Sequence, residues 1–125
     1  MTTSAKVTIG MCVKNAEETI QDAIDSIIAQ DFPHNLLMLI VVDGYSCDKT
    51  LSIIKARLSE VDFKYKIFFE KQGLCQARQF VVDNAEGKYV IWIDGDMTIP
   101  KDFKGNKSSI WNKIQRLELL KEFMT

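Results

Sequence analysis

The chain has 125 residues, the usual length of a single domain, and its 46% apolar and 26% charged residues are typical of a globular protein with its own core. Its net charge of −1 argues against non-specific nucleic-acid binding. No apolar run is long enough to span a membrane, and the N-terminus lacks a signal-peptide pattern, so we expect a cytoplasmic location. Cys12, Cys47 and Cys75 are too widely spaced for a metal-binding pair and are interpreted as free thiols.

The predicted elements alternate between strands and helices. Short runs rich in apolar residues predict four strands, at 6–13, 36–42, 65–69 and 89–93. Apolar residues at helical spacing predict three intervening helices, with apolar faces at Ile20, Ala23, Ile24, Ile27 and Ile28, at Leu51, Ile54 and Leu58, and at Leu74, Ala77, Phe80, Val81 and Ala85. This alternation predicts an α/β fold, an open parallel sheet with helices on both faces. We expect the strand order 3-2-1-4, with a crevice at the switch point between strands one and four.

Polar residues after the strands predict where the helices begin. Asn15 is the predicted N-cap of the first helix, and Glu18 would complete a capping box with it. Ser46 or Asp48 is the predicted cap of the second helix, and Gly73 opens the third.

Two aspartates directly follow the fourth strand, in the sequence Asp94-Gly95-Asp96. Side chains two residues apart on an extended chain point the same way, and open α/β sheets bind ligands at the carboxyl ends of their strands. A divalent cation shared with phosphate oxygens is the natural partner of two such carboxylates; a solvated turn is the alternative. The turn after the first strand has no glycine, and the chain has no P-loop, which argues against a pyrophosphate cradled by backbone amides there.

Five motifs occur in a familiar order, at 7–9 with 15–17, at 26–33, at 40–50, at 73–78 and at 94–96. Together they resemble the family 2 glycosyltransferases. The most specific is IVVDGYSCDKT at 40–50, which is similar to the family's Val-Val-Asp-Asp/Gly-x-Ser-x-Asp-x-Thr signature. The resemblance implies the GT-A fold, with a nucleotide-sugar-binding domain at 1–104. It also implies transfer of sugar from a nucleoside-diphosphate sugar to an acceptor hydroxyl, with a divalent cation, Mn or Mg, as cofactor.

The resemblance further implies site residues, with nucleotide-binding roles for Asn15, Glu17, Asp43, Arg78 and Asp94 and metal-binding roles for Asp96 and Asp94. Asp43 would accept a hydrogen bond from the base, and Arg78 would lie near the base or the phosphates. The alternatives are that Asp43 caps the turn before the second helix and that Arg78 is an ordinary surface arginine. Asn15 and Glu17 would shape the base pocket through backbone and capping geometry.

The chain departs from the family pattern in three respects. Tyr45 replaces a small residue, and Gln79 stands where asparagine is common. Beyond residue 103 the sequence shows neither an acceptor-binding pattern nor a candidate general base, so we expect weak or no catalysis by this chain alone. The alternative functions are a nucleotide-sugar-binding module without turnover, a fragment that needs a further segment, and a structural domain with a vestigial site. The acceptor (glycan, lipid or polyprenyl phosphate) stays open.

Residues 105–125 differ from the rest in charge, with four basic and two acidic side chains. We expect an amphipathic helix at 109–124, with an apolar stripe of Ile110, Ile114, Leu117, Leu120 and Met124. The favoured role of this stripe is to cover core surface. The alternative is peripheral contact with a membrane or a partner.

Overall fold

The computed structural model describes residues 7–30, 33–96 and 114–124. Within these ranges, the strands are β1 (Val7–Val13), β2 (Leu37–Asp43), β3 (Lys64–Phe69), β4 (Tyr89–Trp92) and β5 (Ile114–Arg116). The helices are α1 (Ile20–Ile28), α2 (Thr50–Leu58), α3 (Leu74–Asn84) and α4 (Leu117–Met124), and a 3-10 turn spans His34–Leu36. No helix in these ranges is long and apolar enough to cross a membrane.

The strands form one sheet in the order β3-β2-β1-β4-β5. The strands β1 to β4 are parallel, and β5 pairs antiparallel with β4. The predicted order 3-2-1-4 is therefore confirmed, and β5 extends it by one strand. The order reverses direction at β1, because the chain first adds strands on one side of β1 and then returns to its other side at β4. This reversal places a switch point between β1 and β4.

The sheet is covered on both faces, as predicted. All seven residues of β2 are buried, which explains their continuous apolar sequence. On one face, Leu39 and Val41 pack in a core cluster with residues of α1 and α2. On the other face, Ile40 and Val42 pack in a cluster with residues of α3, and Leu117 of α4 joins this cluster.

The tail differs from the sequence prediction. Residues 114–116 form strand β5 rather than part of a helix, and α4 begins at Leu117. The physical reason is that β4 has a free edge, with which β5 pairs over Tyr89–Ile91. The predicted helical residues 109–113, and the boundary at 104/105, lie outside the described residues.

The start of α1 also differs from the prediction. Its N-cap position is occupied by Thr19 and the helix begins at Ile20, so Asn15 is not the cap. Asn15 instead adopts a left-handed backbone conformation with φ of 50°, which an asparagine tolerates better than most residues. The prediction failed because the side chain of Asn15 has a partner on another loop.

Candidate functional site

Two adjoining clefts open at the carboxyl edge of the sheet. The larger has a volume of about 510 Å³ and is called here the acidic cleft; its lining is Cys12, Val13, Lys14, Asn15, Ala16, Glu17, Glu18, Thr19, Asp48, Asp94, Gly95 and Asp96. The smaller has a volume of about 190 Å³ and is called the apolar cleft; its lining is Cys12, Val13, Lys14, Val42, Gly44, Glu70, Lys71, Gly73, Leu74 and Ala77. The two clefts share Cys12, Val13 and Lys14 and therefore adjoin at the end of β1.

Close packing against β1 explains why a glycine, Gly95, separates the two aspartates of the acidic cleft. Gly95 is buried against β1, and a Cβ at this position would lie 2.6 Å from Cγ2 of Val13, which only glycine avoids. Its carbonyl oxygen accepts a hydrogen bond from Thr19 Oγ1 at 3.0 Å, which ties this loop to the start of α1. Asp94 and Asp96 on either side of this anchor are exposed and line the acidic cleft.

The loop after β1 is bound to the loop after β2 by reciprocal hydrogen bonds. The backbone N–H of Asn15 donates to Ser46 Oγ at 2.9 Å, and Asn15 Oδ1 accepts from the N–H of Cys47 at 2.8 Å. The backbone N–H of Ala16 donates to Thr50 Oγ1 at 2.8 Å. These hydrogen bonds fix the two loops relative to each other, and Asn15 takes part in two of them.

Glu17 and Asp48 form a second reciprocal pair between the same loops. The N–H of Glu17 donates to Asp48 Oδ2, and the N–H of Lys49 donates to Glu17 Oε2, both at 3.2 Å. Asp48 Oδ1 also accepts from the N–H of Thr50 at 2.9 Å and from its hydroxyl. The hydrogen bond from Thr50 is the main cause that lowers the pKa of Asp48.

Asp43 lies at the end of β2 but lines neither cleft. Its side chain is buried, and its two carboxylate oxygens accept hydrogen bonds from Ser46, from the N–H at 3.0 Å and from Oγ at 2.6 Å. The structure thus places this carboxylate inside the turn that leads to α2.

Arg78 and Cys12 lie on the face of the sheet that α3 covers. The exposed Arg78 places its guanidinium carbon 5.5 Å from the ring centroid of Trp92 on β4. Burial raises the pKa of the Cys12 thiol to about 11; Arg78 opposes this rise and Asp94 adds to it. Arg78 lines neither of the two clefts, whereas Asp94 lines the acidic cleft.

The sequence reasoning did not select Cys12, Trp92 or Thr19. The alternation of β1 puts Cys12 on the α3 face at the carboxyl end of its strand, so its position could have been found. The contacts of Trp92 and Thr19 join residues far apart in the sequence and left no local signal.

The donor set at the acidic cleft fits a hard divalent cation that is also shared with phosphate. Within the described ranges, no group of three or more His, Cys, Asp or Glu side chains is arranged to hold a metal ion. Two carboxylates alone form an incomplete shell, and Mg²⁺ sites commonly combine one or two carboxylates with water and substrate phosphates. Asp94 and Asp96 are the residues that would hold such an ion.

The fold and the clefts define a class of protein: an open α/β domain with a candidate ligand cleft at the switch point of its sheet. Comparison with known proteins gives the family. The model of the family described as "Glycosyl transferase family 2" matches residues 8–106. The chain belongs to glycosyl transferase family 2, as the motifs predicted.

Relatives and solved structures agree with this assignment. The glycosyltransferase SunS of Bacillus subtilis is 30% identical over 83% of this chain. The mannosyltransferase PcManGT of Pyrobaculum calidifontis, solved with GDP-Man and Mn²⁺, superposes with a TM-score of 0.72 at 27% identity over 79% of this chain. TarS of Staphylococcus aureus, solved with UDP, superposes with a TM-score of 0.70 at 27% identity over 78%.

The chain spans only part of these proteins. It covers 23% of the length of SunS, 30% of the PcManGT chain and 29% of the TarS chain.

Proposed function

We propose that this chain binds the nucleoside-diphosphate sugar of a glycosyltransferase, together with a divalent cation, for transfer of the sugar to an acceptor hydroxyl. The observation that carries the proposal is the pair of exposed carboxylates, Asp94 and Asp96, on either side of the buried Gly95 at the switch point. The solved complexes of PcManGT with GDP-Man and Mn²⁺ and of TarS with UDP support this ligand class.

The two clefts divide the donor between them in this proposal. The base lies in the apolar cleft, against side chains such as Val42, Leu74 and Ala77, and the diphosphate and sugar extend into the acidic cleft. Lys14 lines both clefts and lies where the phosphates would pass from one to the other. Its positive charge offsets part of the charge of the diphosphate.

Asn15, Glu17 and Asp43 contribute through the loops that they hold. Asn15 and Glu17 line the acidic cleft and bind the neighbouring loop, whereas Asp43 sets the turn that presents that loop. Loss of any of these side chains would change the shape of the pocket. The predicted contact of Asp43 with the base remains part of the proposal, and it requires a carboxylate oxygen to accept a further hydrogen bond.

The cation proposed for Asp94 and Asp96 would neutralise charge on the leaving diphosphate when bound. The protein's own part is to hold two carboxylates on a rigid loop, tied to α1 through Thr19. Proton removal from the acceptor needs a positioned base. We propose that this chain supplies the donor site and, by itself, little or no transfer; the acceptor class stays open among glycans, lipids and polyprenyl phosphates.

Metal-dependent nucleotide binding tests the proposal. Titration of the chain with UDP and GDP, with and without Mn²⁺, should give tighter binding with the metal. Asp96→Asn should remove most of this metal dependence, because it deletes one anionic oxygen ligand. Asp22→Asn, at an exposed aspartate on α1 that lines neither cleft, is the matched control and should bind as the unaltered chain does. Binding that does not change with metal in any of the three proteins would contradict the cation site.

A further inference from the structure

We propose that Lys14 binds the phosphate next to the nucleoside without any cation, so that the cation at Asp94 and Asp96 is needed only for the second phosphate. Gly44 takes part by leaving room for the stem of Lys14. The inference rests on the proposed function and assigns the two phosphates of the donor to different parts of the site. It makes binding of a nucleoside monophosphate independent of metal and binding of a nucleoside diphosphate dependent on it.

Lys14 lies where the two clefts meet. It directly follows β1, and it lines the acidic cleft as well as the apolar cleft. A donor whose base occupies the apolar cleft brings its nucleoside-linked phosphate to this junction before the second phosphate reaches the aspartates. The side chain of Lys14 is exposed and forms none of the ion pairs found within 7–30, 33–96 and 114–124. Its ammonium is therefore available to a phosphate, for which lysine is a common ligand.

The charges of the acidic cleft distinguish the second phosphate from the first. The described residues that line this cleft include five carboxylates: Glu17, Glu18, Asp48, Asp94 and Asp96. Lys14 is the only basic side chain among those lining residues. A phosphate that enters the cleft beyond Lys14 is repelled by these like charges unless a cation is bound there. In the lining of the apolar cleft the balance is reversed, with Lys14 and Lys71 against Glu70.

Gly44 leaves room for the stem of Lys14. The N–H of Gly44 donates to the carbonyl oxygen of Val13 at 2.8 Å, which brings the loop after β2 alongside the end of β1. A Cβ at residue 44 would lie 3.3 Å from both Cβ and Cδ of Lys14, closer than an ordinary van der Waals contact. The stem therefore packs on the backbone of Gly44, and less side-chain freedom is lost when the ammonium binds a phosphate.

Comparison of three ligands, each with and without Mn²⁺, tests the inference. The ligands are whichever of UDP and GDP binds the unaltered chain, the matching monophosphate and the matching nucleoside. The monophosphate should bind equally well with and without Mn²⁺, whereas the diphosphate should bind more tightly with it. Asp96→Asn should remove the effect of Mn²⁺ on the diphosphate and leave binding of the monophosphate unchanged.

Lys14→Met removes the proposed phosphate contact. It should weaken binding of the monophosphate and of the diphosphate about tenfold, with and without Mn²⁺, and leave binding of the nucleoside unchanged. Because Lys14 is exposed, the unfolding midpoint should change little. Lys66→Met, at an exposed lysine of β3 that lines neither cleft, is the matched control and should bind all three ligands as the unaltered chain does.

Two substitutions at residue 44 test the part of Gly44. Gly44→Asp places a carboxylate beside the stem of Lys14, and Gly44→Asn adds the same bulk without the charge. The aspartate variant should bind the monophosphate about threefold more weakly than the asparagine variant, because the new carboxylate competes with the phosphate for the ammonium. In a Lys14→Met background this difference should mostly disappear, since no ammonium is left to pair.

Several outcomes overturn the inference. They are a monophosphate that Lys14→Met binds as tightly as the unaltered chain, an equal loss for the nucleoside, and a monophosphate whose binding depends on Mn²⁺ as strongly as that of the diphosphate. A larger loss from Lys71→Met than from Lys14→Met, or the same difference between the two residue-44 variants in both backgrounds, also contradicts it. If the diphosphate still binds in a metal-dependent way, only this inference fails; if the unaltered chain binds neither UDP nor GDP, the proposed function fails with it.

Discussion

Gly95 illustrates how one residue places two carboxylates at a cleft. Gly95→Ala would force its new methyl group into Val13, 2.6 Å away in the present geometry. We expect a destabilisation of about 1–3 kcal/mol, typical of overpacking, together with weaker metal-dependent nucleotide binding. Chemical unfolding and titration with Mn²⁺ measure the two effects.

Val13→Ala offers a matched control for this prediction. It removes the Cγ2 methyl group that the new Cβ would meet, so Gly95→Ala should cost less in a Val13→Ala background than in the unaltered chain. The same cost in both backgrounds would show that the contact between these two residues does not explain why glycine is needed.

Asp48 makes the stability of the joined loops depend on pH. Its pKa is lowered in the folded protein from 3.8, mainly by the hydrogen bond from Thr50. Because the folded pKa lies below the unfolded pKa, ionised Asp48 stabilises the folded chain. This contribution to the free energy of unfolding is complete above the unfolded pKa and is lost as the pH falls through the folded pKa. We therefore expect Asp48→Asn to lose less stability than the unaltered chain as the pH falls from above the unfolded value of 3.8 through the lower folded value.

The control for the pH prediction is Asp22→Asn, which should follow the unaltered chain. Asp62, whose pKa is also lowered, mainly by its hydrogen bond with His34, will continue to contribute in every variant. Identical acid unfolding curves for Asp48→Asn and the unaltered chain would contradict the role of Asp48.

The position of a site residue could be predicted where it depends on neighbouring residues in the sequence, and not where it depends on a hydrogen-bond partner on a distant loop. The placement of Asp94 and Asp96 followed from the apolar run before them, because the end of a parallel strand is recognisable in sequence. Asn15 was expected to cap the next helix, whereas its partner, Cys47, lies on another loop. Hydrogen bonds between distant loops depend on the fold and could not be derived from spacing.

At the scale of elements, strands were easier to predict than the tail. The four predicted strands agree with β1–β4 within a residue at each end. The buried strands β1 and β2 have nearly continuous apolar sequences, which makes them recognisable, whereas β3 is mostly exposed at the edge of the sheet. The prediction of helix at 114–116 was wrong, since Leu117 and Leu120 at helical spacing also suit a helix that begins later. The free edge of β4, which recruits β5, is a property of the assembled sheet and has no local signature.

The packing of α4 leads to a prediction with an internal control. Leu117 is buried in the core on the α3 face, whereas Leu119 is exposed. Leu117→Ala should lower the free energy of unfolding by about 2–5 kcal/mol, and Leu119→Ala should change it by less than about 0.5 kcal/mol. Equal effects of the two substitutions would show that α4 does not pack on the core as described.

Deletion of the residues after 113 gives a further test of how the C-terminal segment packs. A chain that ends at residue 113 loses both β5 and α4, so it exposes the edge of β4 and the surface that Leu117 and Leu120 cover. We expect aggregation, because an unpaired strand edge beside apolar surface favours association between chains. A truncated chain that stays monomeric and equally stable would contradict this role and would favour the alternative of contact with a membrane or a partner.

At the scale of the whole molecule, the two faces of the sheet contribute differently. The face covered by α1 and α2 holds the larger core cluster, and the face covered by α3 and α4 carries Cys12, which lines both clefts. The fold could be predicted because alternating patterns and family motifs extend over most of the chain. The division of the carboxyl edge of the sheet into an acidic and an apolar cleft could not be predicted, because it depends on how the loops pack against each other.

The central claim is that one nucleotide-sugar site lies at the carboxyl edge of β1, β2 and β4. Amide chemical shifts of the full chain, recorded while UDP or GDP is added with Mg²⁺, test this claim most directly. The account predicts shifts concentrated at the cleft linings, at 12–19, at 42–48, at 70–77 and at 94–96, with little change in β3 residues such as Tyr65 or in α4. Shifts that avoid the ends of β2 and β4, or that concentrate on α4, would contradict it.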